Sequence, residues 1–182
     1  MSLLSYNQLC DLIRSGVIEG SDFSLVNSAS IDIRLGTSLL LEVDNVENHV
    51  NLSKRESMAT YRYYLPEDGY LLKPGQFVLA ESMEVFNLPR DISAEYKLKS
   101  SMARIGLEHL NAGWCDAGWN GSVLTLELKN MTQRQSIRIR PGDKIGQMVF
   151  FMHEPVPVHA SYANRGSYNG DLTVTGAKGE KK

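Results

Sequence analysis

Cysteine is nearly absent from this chain: Cys10 and Cys115 are the only two among 182 residues. Two thiols make no disulfide framework, and with no Cys-x-x-Cys nothing indicates an oxidising compartment or a cysteine-built metal site. The four histidines, His49, His109, His153 and His159, fall in no metal-ligand spacing either. A basic excess is missing too. Nineteen Lys and Arg against 21 Asp and Glu leave a net charge of −2, which excludes a general nucleic-acid binder but allows one local basic pocket. Long apolar runs are absent: Asp11 and Arg14 interrupt the first apolar segment, so neither a signal peptide nor a membrane span is expected, and the cytoplasm is the expected location. No repeat and no linker composition occurs, which leaves a single domain over 1–182.

What is present is an ordinary globular composition, 42% hydrophobic and 22% charged, in a chain long enough to bury a core. Ser5 and Gln8 form a capping box ahead of Leu9, Leu12 and Ile13 at helical spacing, with Gly16 as the stop. Beyond residue 22 the period becomes two. Ile31, Ile33 and Leu35 share one strand face, and Asp32 and Arg34 share the other, where they are expected to pair. Further strands are expected at 39–43, 61–64, 69–72, 77–86, 136–140 and 145–152, with 44–60 as a loop. The Lys73-Pro74-Gly75-Gln76 and Arg140-Pro141-Gly142-Asp143 segments carry type II turn chemistry. Short strands, Pro-Gly turns and one clear helix together predict an all-β fold, a distorted barrel or jelly roll. The stretch 162–182 has no core-forming period. It reads either as a flexible tail or as a lid that orders over a ligand.

One segment concentrates polar groups against apolar neighbours. It holds Lys99, Ser100, Ser101 and Arg104, then Asp116 within a glycine-rich run, then Thr125 and Glu127 in an otherwise apolar strand. Alternation places Val123, Thr125 and Glu127 on one face and the leucines on the other. From spacing alone Glu127 is either a solvent-facing residue or the carboxylate of a site, Arg104 a structural ion pair or a charge stabiliser, and Asp116 a turn residue or a ligand. Trp114 and Trp119 read as packing residues at the rim.

In order along the chain, these motifs resemble the dCTP deaminase branch of the dUTPase-like superfamily. They are Asn-Ser-Ala-Ser-Ile-Asp-Ile-Arg-Leu-Gly at 27–36, Leu-Lys-Pro-Gly-Gln-Phe-Val-Leu-Ala at 72–80, and Lys-Ser-Ser-Met-Ala-Arg-Ile-Gly-Leu at 99–107. Asp-Ala-Gly-Trp-Asn-Gly at 116–121, Thr-Leu-Glu-Leu at 125–128 and Arg-Pro-Gly-Asp-Lys-Ile-Gly-Gln at 140–147 complete the set. The resemblance implies a homotrimer with sites between subunits, acting on a deoxycytidine nucleotide. It implies hydrolysis of dCTP to dUTP and ammonia, with Mg2+ bound to the triphosphate. Zinc deaminases need His-x-Glu and Pro-Cys-x-x-Cys, and neither pattern is met here, so a glutamate is expected to activate the water.

The roles implied by the resemblance fall on named positions. Glu127 is the general base and acid; Ser100 and the carbonyl of Ala112 hold the water; Arg104 stabilises charge. Thr125 borders the base, Asp116 meets the sugar hydroxyl, and Lys99, Ser100 and Ser101 contact phosphates. Tyr162, Arg165 and Tyr168 close over the nucleotide. Three departures accompany the match. Lys99 stands where many members carry arginine, and one extra residue near Ser122 predicts a bulge. The family's Lys-Tyr-Gln-Gly-Gln is Ser-Tyr-Asn-Gly-Asp at 167–171, so Asp171 brings an anion toward the expected triphosphate, with Arg165 as the compensating cation. Two other activities stay open: a bifunctional enzyme giving dUMP and pyrophosphate, and a deaminase for another deoxycytidine nucleotide. A regulator that binds nucleotide without turnover is the reading from a different class.

Overall fold

The computed structural model describes residues 1–44 and 49–179. Of the expected loop at 44–60, residues 45–48 lie outside the described residues, as do 180–182 of the expected tail. Strand β1 (Ser2–Leu3), helix α1 (Tyr6–Arg14) and β2 (Ile18–Glu19) precede the long β3 (Ile31–Glu42). β4 (Thr60–Tyr64), β5 (Tyr70–Leu72), β6 (Phe77–Asn87) and β7 (Ile92–Leu98) follow. A single-turn helix α2 (Ser100–Arg104) leads into β8 (Leu107–His109) and β9 (Trp114–Cys115). Then come β10 (Asn120–Asn130), β11 (Ile137–Ile139), β12 (Lys144–Met152) and α3 (Tyr162–Arg165).

Local chemistry explains the ends of these elements. The Gln8 side chain reaches back at the start of α1, its Oε1 accepting from the Ser5 N–H at 3.1 Å. Gln76 and Asp143 close the two Pro-Gly turns, their N–H groups donating to the carbonyls of Lys73 and Arg140 at 3.0 and 3.2 Å. At the third position of those turns Gly75 and Gly142 have φ of 75° and 85°, which a Cβ would oppose.

Ten strands form one sheet in the order β8-β10-β6-β3-β12-β7-β9, with β1 on β12, β2 on β6 and β4 on β3; β5 and β11 pair separately. All these pairings are antiparallel. β3 is the strand that changes layers. Its first residues, Ile31–Arg34, pair with β12, and from Leu35 onward it pairs with β6 and β4. At the crossing a Cβ on Gly36 would meet the Glu81 side chain at 2.4 Å, so glycine permits the close approach. The sheet thereby curls into a distorted barrel. Ile31, Ile33, Leu35, Leu39, Phe86, Leu126 and Phe150 fill it, fully buried.

Two expectations change. β7 and the helical turn α2 occupy stretches to which no strand or helix is assigned from the sequence. Asp32 and Arg34 do not pair: β3 is covered on both faces, so each takes a partner from another strand. Arg34 Nε donates to Glu84 Oε1 at 2.8 Å, and Asp32 Oδ1 accepts from Lys99 Nζ at 2.5 Å, with Lys144 Nζ 3.4 Å from Oδ2.

Residues 162–179 run as a strap across the barrel. Val123 N–H donates to the Asp171 carbonyl at 2.9 Å and Trp119 Nε1 to the Tyr168 carbonyl at 2.8 Å. Val174 is fully buried with Leu40 and Leu79, and its N–H donates to Glu81 Oε2 at 2.8 Å. Among the described residues no helix is long and apolar enough to cross a membrane.

Candidate active site

A cavity of about 580 Å3 opens between β9, the middle of β10 and the strap. Its floor is Thr125 and Glu127, and Val123, Leu124 and Leu79 give it an apolar side. The β10 register explains this presentation. One extra residue enters at Gly121, between the Asn120–Asn87 and Ser122–Phe86 pairs, so β10 bulges beside the position where the sequence anticipates it. A second irregularity falls between Val123 and Thr125, so Leu124, expected on the opposite face, lines the cavity as well. From Thr125 onward alternation holds as read, with Leu126 and Leu128 in the core and Thr125 and Glu127 facing the cavity.

Glu127 keeps about a quarter of its side-chain surface exposed. Its Oε2 lies 3.2 Å from His109 Nε2, without the alignment of a hydrogen bond, and both atoms are buried and unpartnered. Tyr96 packs on the His109 ring at 4.5 Å between centroids. Burial, and then the Glu127 charge, push the Tyr96 phenol up, so it stays a neutral O–H. The Cys115 thiol is pushed up to about 12, first by burial and then by the charges of Asp116 and Glu127. A protonated thiol is neither a nucleophile nor a metal ligand. Among the described residues no three His, Cys, Asp or Glu side chains gather as a metal site.

The other walls come from two loops and the strap. Ala112, Trp114 and Asp116 form one side, with Asp116 Oδ1 accepting from Trp114 Nε1 at 2.9 Å. Tyr162, Tyr168 and Asp171 form the roof. Trp119 is buried and stacked on Phe86 at 5.4 Å, the packing residue expected, whereas Trp114 is 56% exposed; both border the cavity. The anion introduced by Asp171 is met from within the strap. Lys178 Nζ donates to both its carboxylate oxygens at 2.7 and 2.6 Å, and sits 5.2 Å from the Tyr168 ring centroid. Arg165, the cation expected there, is exposed, outside the cavity lining and in no ion pair with a described residue.

The structure therefore brings together Ala112, Asp116, Thr125, Glu127, Tyr162, Tyr168 and Asp171. Lys99, Ser100, Ser101 and Arg104 line a different part of the surface. Lys99 is tied to Asp32, whereas Ser100, Ser101 and Arg104 are exposed, with no side-chain hydrogen bond or ion pair to any described residue. Sequence reading misses His109 and Tyr96 as neighbours of Glu127. β8 and β7 stand near opposite ends of the strand order and meet only because the barrel curls. Lys178 is missed as well, since no spacing signal links it to Asp171.

The sequence profile of the dCTP deaminase-like family matches residues 3–153. The chain belongs to that family. It is 39% identical over 150 residues to a "dCTP deaminase, dUMP-forming" of Methanospirillum hungatei, covering 81% of this chain and 80% of that protein. A protein of the same name from Persephonella marina is 33% identical over 187 residues, 97% of this chain and 96% of its own. The crystal structure of the 2'-deoxycytidine 5'-triphosphate deaminase from Agrobacterium tumefaciens superposes with a TM-score of 0.66 at 24% identity. That match covers 82% of this chain and 47% of the other, and establishes the shared fold.

Proposed function

We propose that the protein deaminates dCTP at C4 and carries the product on to dUMP, consuming two waters and releasing ammonia and pyrophosphate. The observation that carries the deamination is Glu127 on the cavity floor beside Thr125, partly desolvated and paired with no Lys or Arg among the described residues. Glu127 takes a proton from water, the hydroxide attacks C4, and the proton passes to N3. Glu127 then moves a proton from the tetrahedral hydroxyl to the amine, which leaves as ammonia. Zinc has no part in this reading; magnesium enters with the triphosphate as part of the substrate.

The dUMP-forming relatives favour this outcome over release of dUTP, the first choice from sequence. Asp116, exposed at the cavity wall, is the group we assign to the second water. Ser100, Ser101 and Arg104 enter the reaction across a subunit boundary in this reading. Exposed and without side-chain partners among the described residues of their own chain, they complete the cavity of a neighbouring copy in a ring of three. Glu127→Gln is expected to abolish ammonia release from dCTP while nucleotide binding stays measurable; unchanged turnover overturns the assignment. Chromatography of products from dCTP, dCMP, dUTP and modified dCTPs separates the outcomes. Equal dUMP, pyrophosphate and ammonia are expected, and dUTP accumulating in step with ammonia overturns the second hydrolysis.

A further inference from the structure

Behind Glu127 the barrel holds a set of polar atoms that the deamination steps leave unused. His109 Nε2, Glu127 Oε2 and Tyr96 Oη are all buried, and none has a hydrogen-bond partner among the described residues. Leaving even one such atom unpaired is costly, and native structures seldom carry three together without use. The space for them is built in. A Cβ on Gly146 would strike the Tyr96 ring and hydroxyl at 2.2 Å, and one on Gly113 would strike the Tyr96 carbonyl at 2.6 Å. Gly146 thus leaves room for the Tyr96 ring and Gly113 for the close approach of its backbone, and that ring lies against the ring of a histidine that is 4% exposed.

The geometry points to His109 and Tyr96 as positioning residues for Glu127. His109 presents an Nε2–H to Oε2 of the carboxylate, and Tyr96 fixes the plane of the imidazole from which that N–H is aimed. At 3.2 Å and out of line, the contact closes by a small rotation of the carboxylate when substrate seats. The looseness suits a group that must visit water, N3 and the amine in turn. His109 keeps its proton throughout; only Glu127 gains and loses one. The other ionisable groups facing Glu127 are the protonated Cys115 and Tyr96, and the cavity's remaining charges are Glu56, Asp116 and Asp171, the last neutralised by Lys178. Opposite Glu127 on β6 stands apolar Leu79. His109 Nε2 is the nitrogen that the structure places 3.2 Å from Oε2.

This inference rests on the deaminase reading for its kinetic arm alone. His109→Leu removes the donor but keeps an apolar side chain, and His109→Gln restores an N–H at a similar reach. In His109→Leu kcat is expected to fall by roughly ten- to a hundredfold, part of what acid–base catalysis supplies. The acid limb of its pH profile is expected to move up by about one pH unit, because a buried carboxylate without a donor favours its protonated form. His109→Gln brings the limb back. A loss of kcat with the acid limb in place, or no recovery in His109→Gln, overturns the proposal. The second arm needs no turnover: nitrogen-15 NMR of the full-length protein labelled at histidine. The His109 ring is expected in its Nε2–H form, with that proton moving upfield in Glu127→Leu. An Nδ1–H ring, or a proton indifferent to Glu127, overturns it. Wild-type protein that releases no ammonia from dCTP would refute the deaminase reading and leave the NMR arm to decide the pairing.

Discussion

Asp32 shows what one carboxylate does when it is enclosed by two cations, one capping α2 and one from β12. Burial pushes its carboxyl up, but the hydrogen bonds from Lys99 and Asn27, the charge of Lys99 and the hydrogen bond from Lys144 outweigh it, and the group is held below its usual 3.8. A carboxyl that binds its proton less readily when folded adds stability above its unfolded pKa, and loses it as pH falls through the lower folded value. Wild-type protein is therefore expected to be more stable than Asp32→Asn at neutral pH, with the gap closing below about pH 4. Urea midpoints measured from neutral pH down to about pH 2 check this. A gap that stays constant across that range argues that Asp32 acts through packing alone. The same pair explains why Lys99 is a poor free phosphate ligand within one chain: its ammonium is already engaged.

Among the elements, the strap depends most on contacts far away in sequence. Glu81 Oε2 accepts from Val174 N–H and from the Ser38 hydroxyl at 2.9 Å, while Arg62 Nη2 donates to the Val174 carbonyl at 2.9 Å. Val174→Ala is expected to cost about 1–3 kcal/mol, from two lost methyl groups and the space they leave. Truncation after Pro157 is expected to weaken triphosphate binding severalfold or more, read by calorimetry, since Tyr162, Tyr168 and Asp171 go with it. Unchanged affinity would remove the strap from the site. Composition could not reveal this segment, because its order comes from Glu81, Trp119 and Ser122 rather than from a period of its own. α1, the two Pro-Gly turns and β10 were legible because their signals are local: a capping pair, a dipeptide, an alternation. β7 carries such a signal too, with Ile92, Ala94, Tyr96 and Leu98 alternating against Ser93, Glu95 and Lys97. It goes unassigned in the sequence because it sits between a proline turn and the polar segment. α2 is a single turn and shows no period at all.

For the whole molecule, the separation of Glu127 from Arg104 makes a specific claim about assembly. If one copy supplies the carboxylate and the next supplies the guanidinium, Glu127→Gln and Arg104→Ala are each inactive alone but complement each other when mixed. Random mixing in equal parts regenerates about a quarter of intact sites in a closed ring. Denaturing and refolding the two variants together, then assaying ammonia, is the measurement. No recovery would place both residues within one subunit.

The Glu81 carboxylate also has a consequence for traffic through the cavity. It sits where β3 changes layers, under the glycine that allows the crossing, and it holds the strap at Val174. Lifting the strap far enough to pass a nucleotide must hinge short of Val174 or draw that side chain out of the apolar cluster it shares with Leu40 and Leu79. In the second case entry and exit are local unfolding events. Their rates would then rise with temperature and denaturant as core exposure does, and substitutions that firm the barrel would slow the release of product.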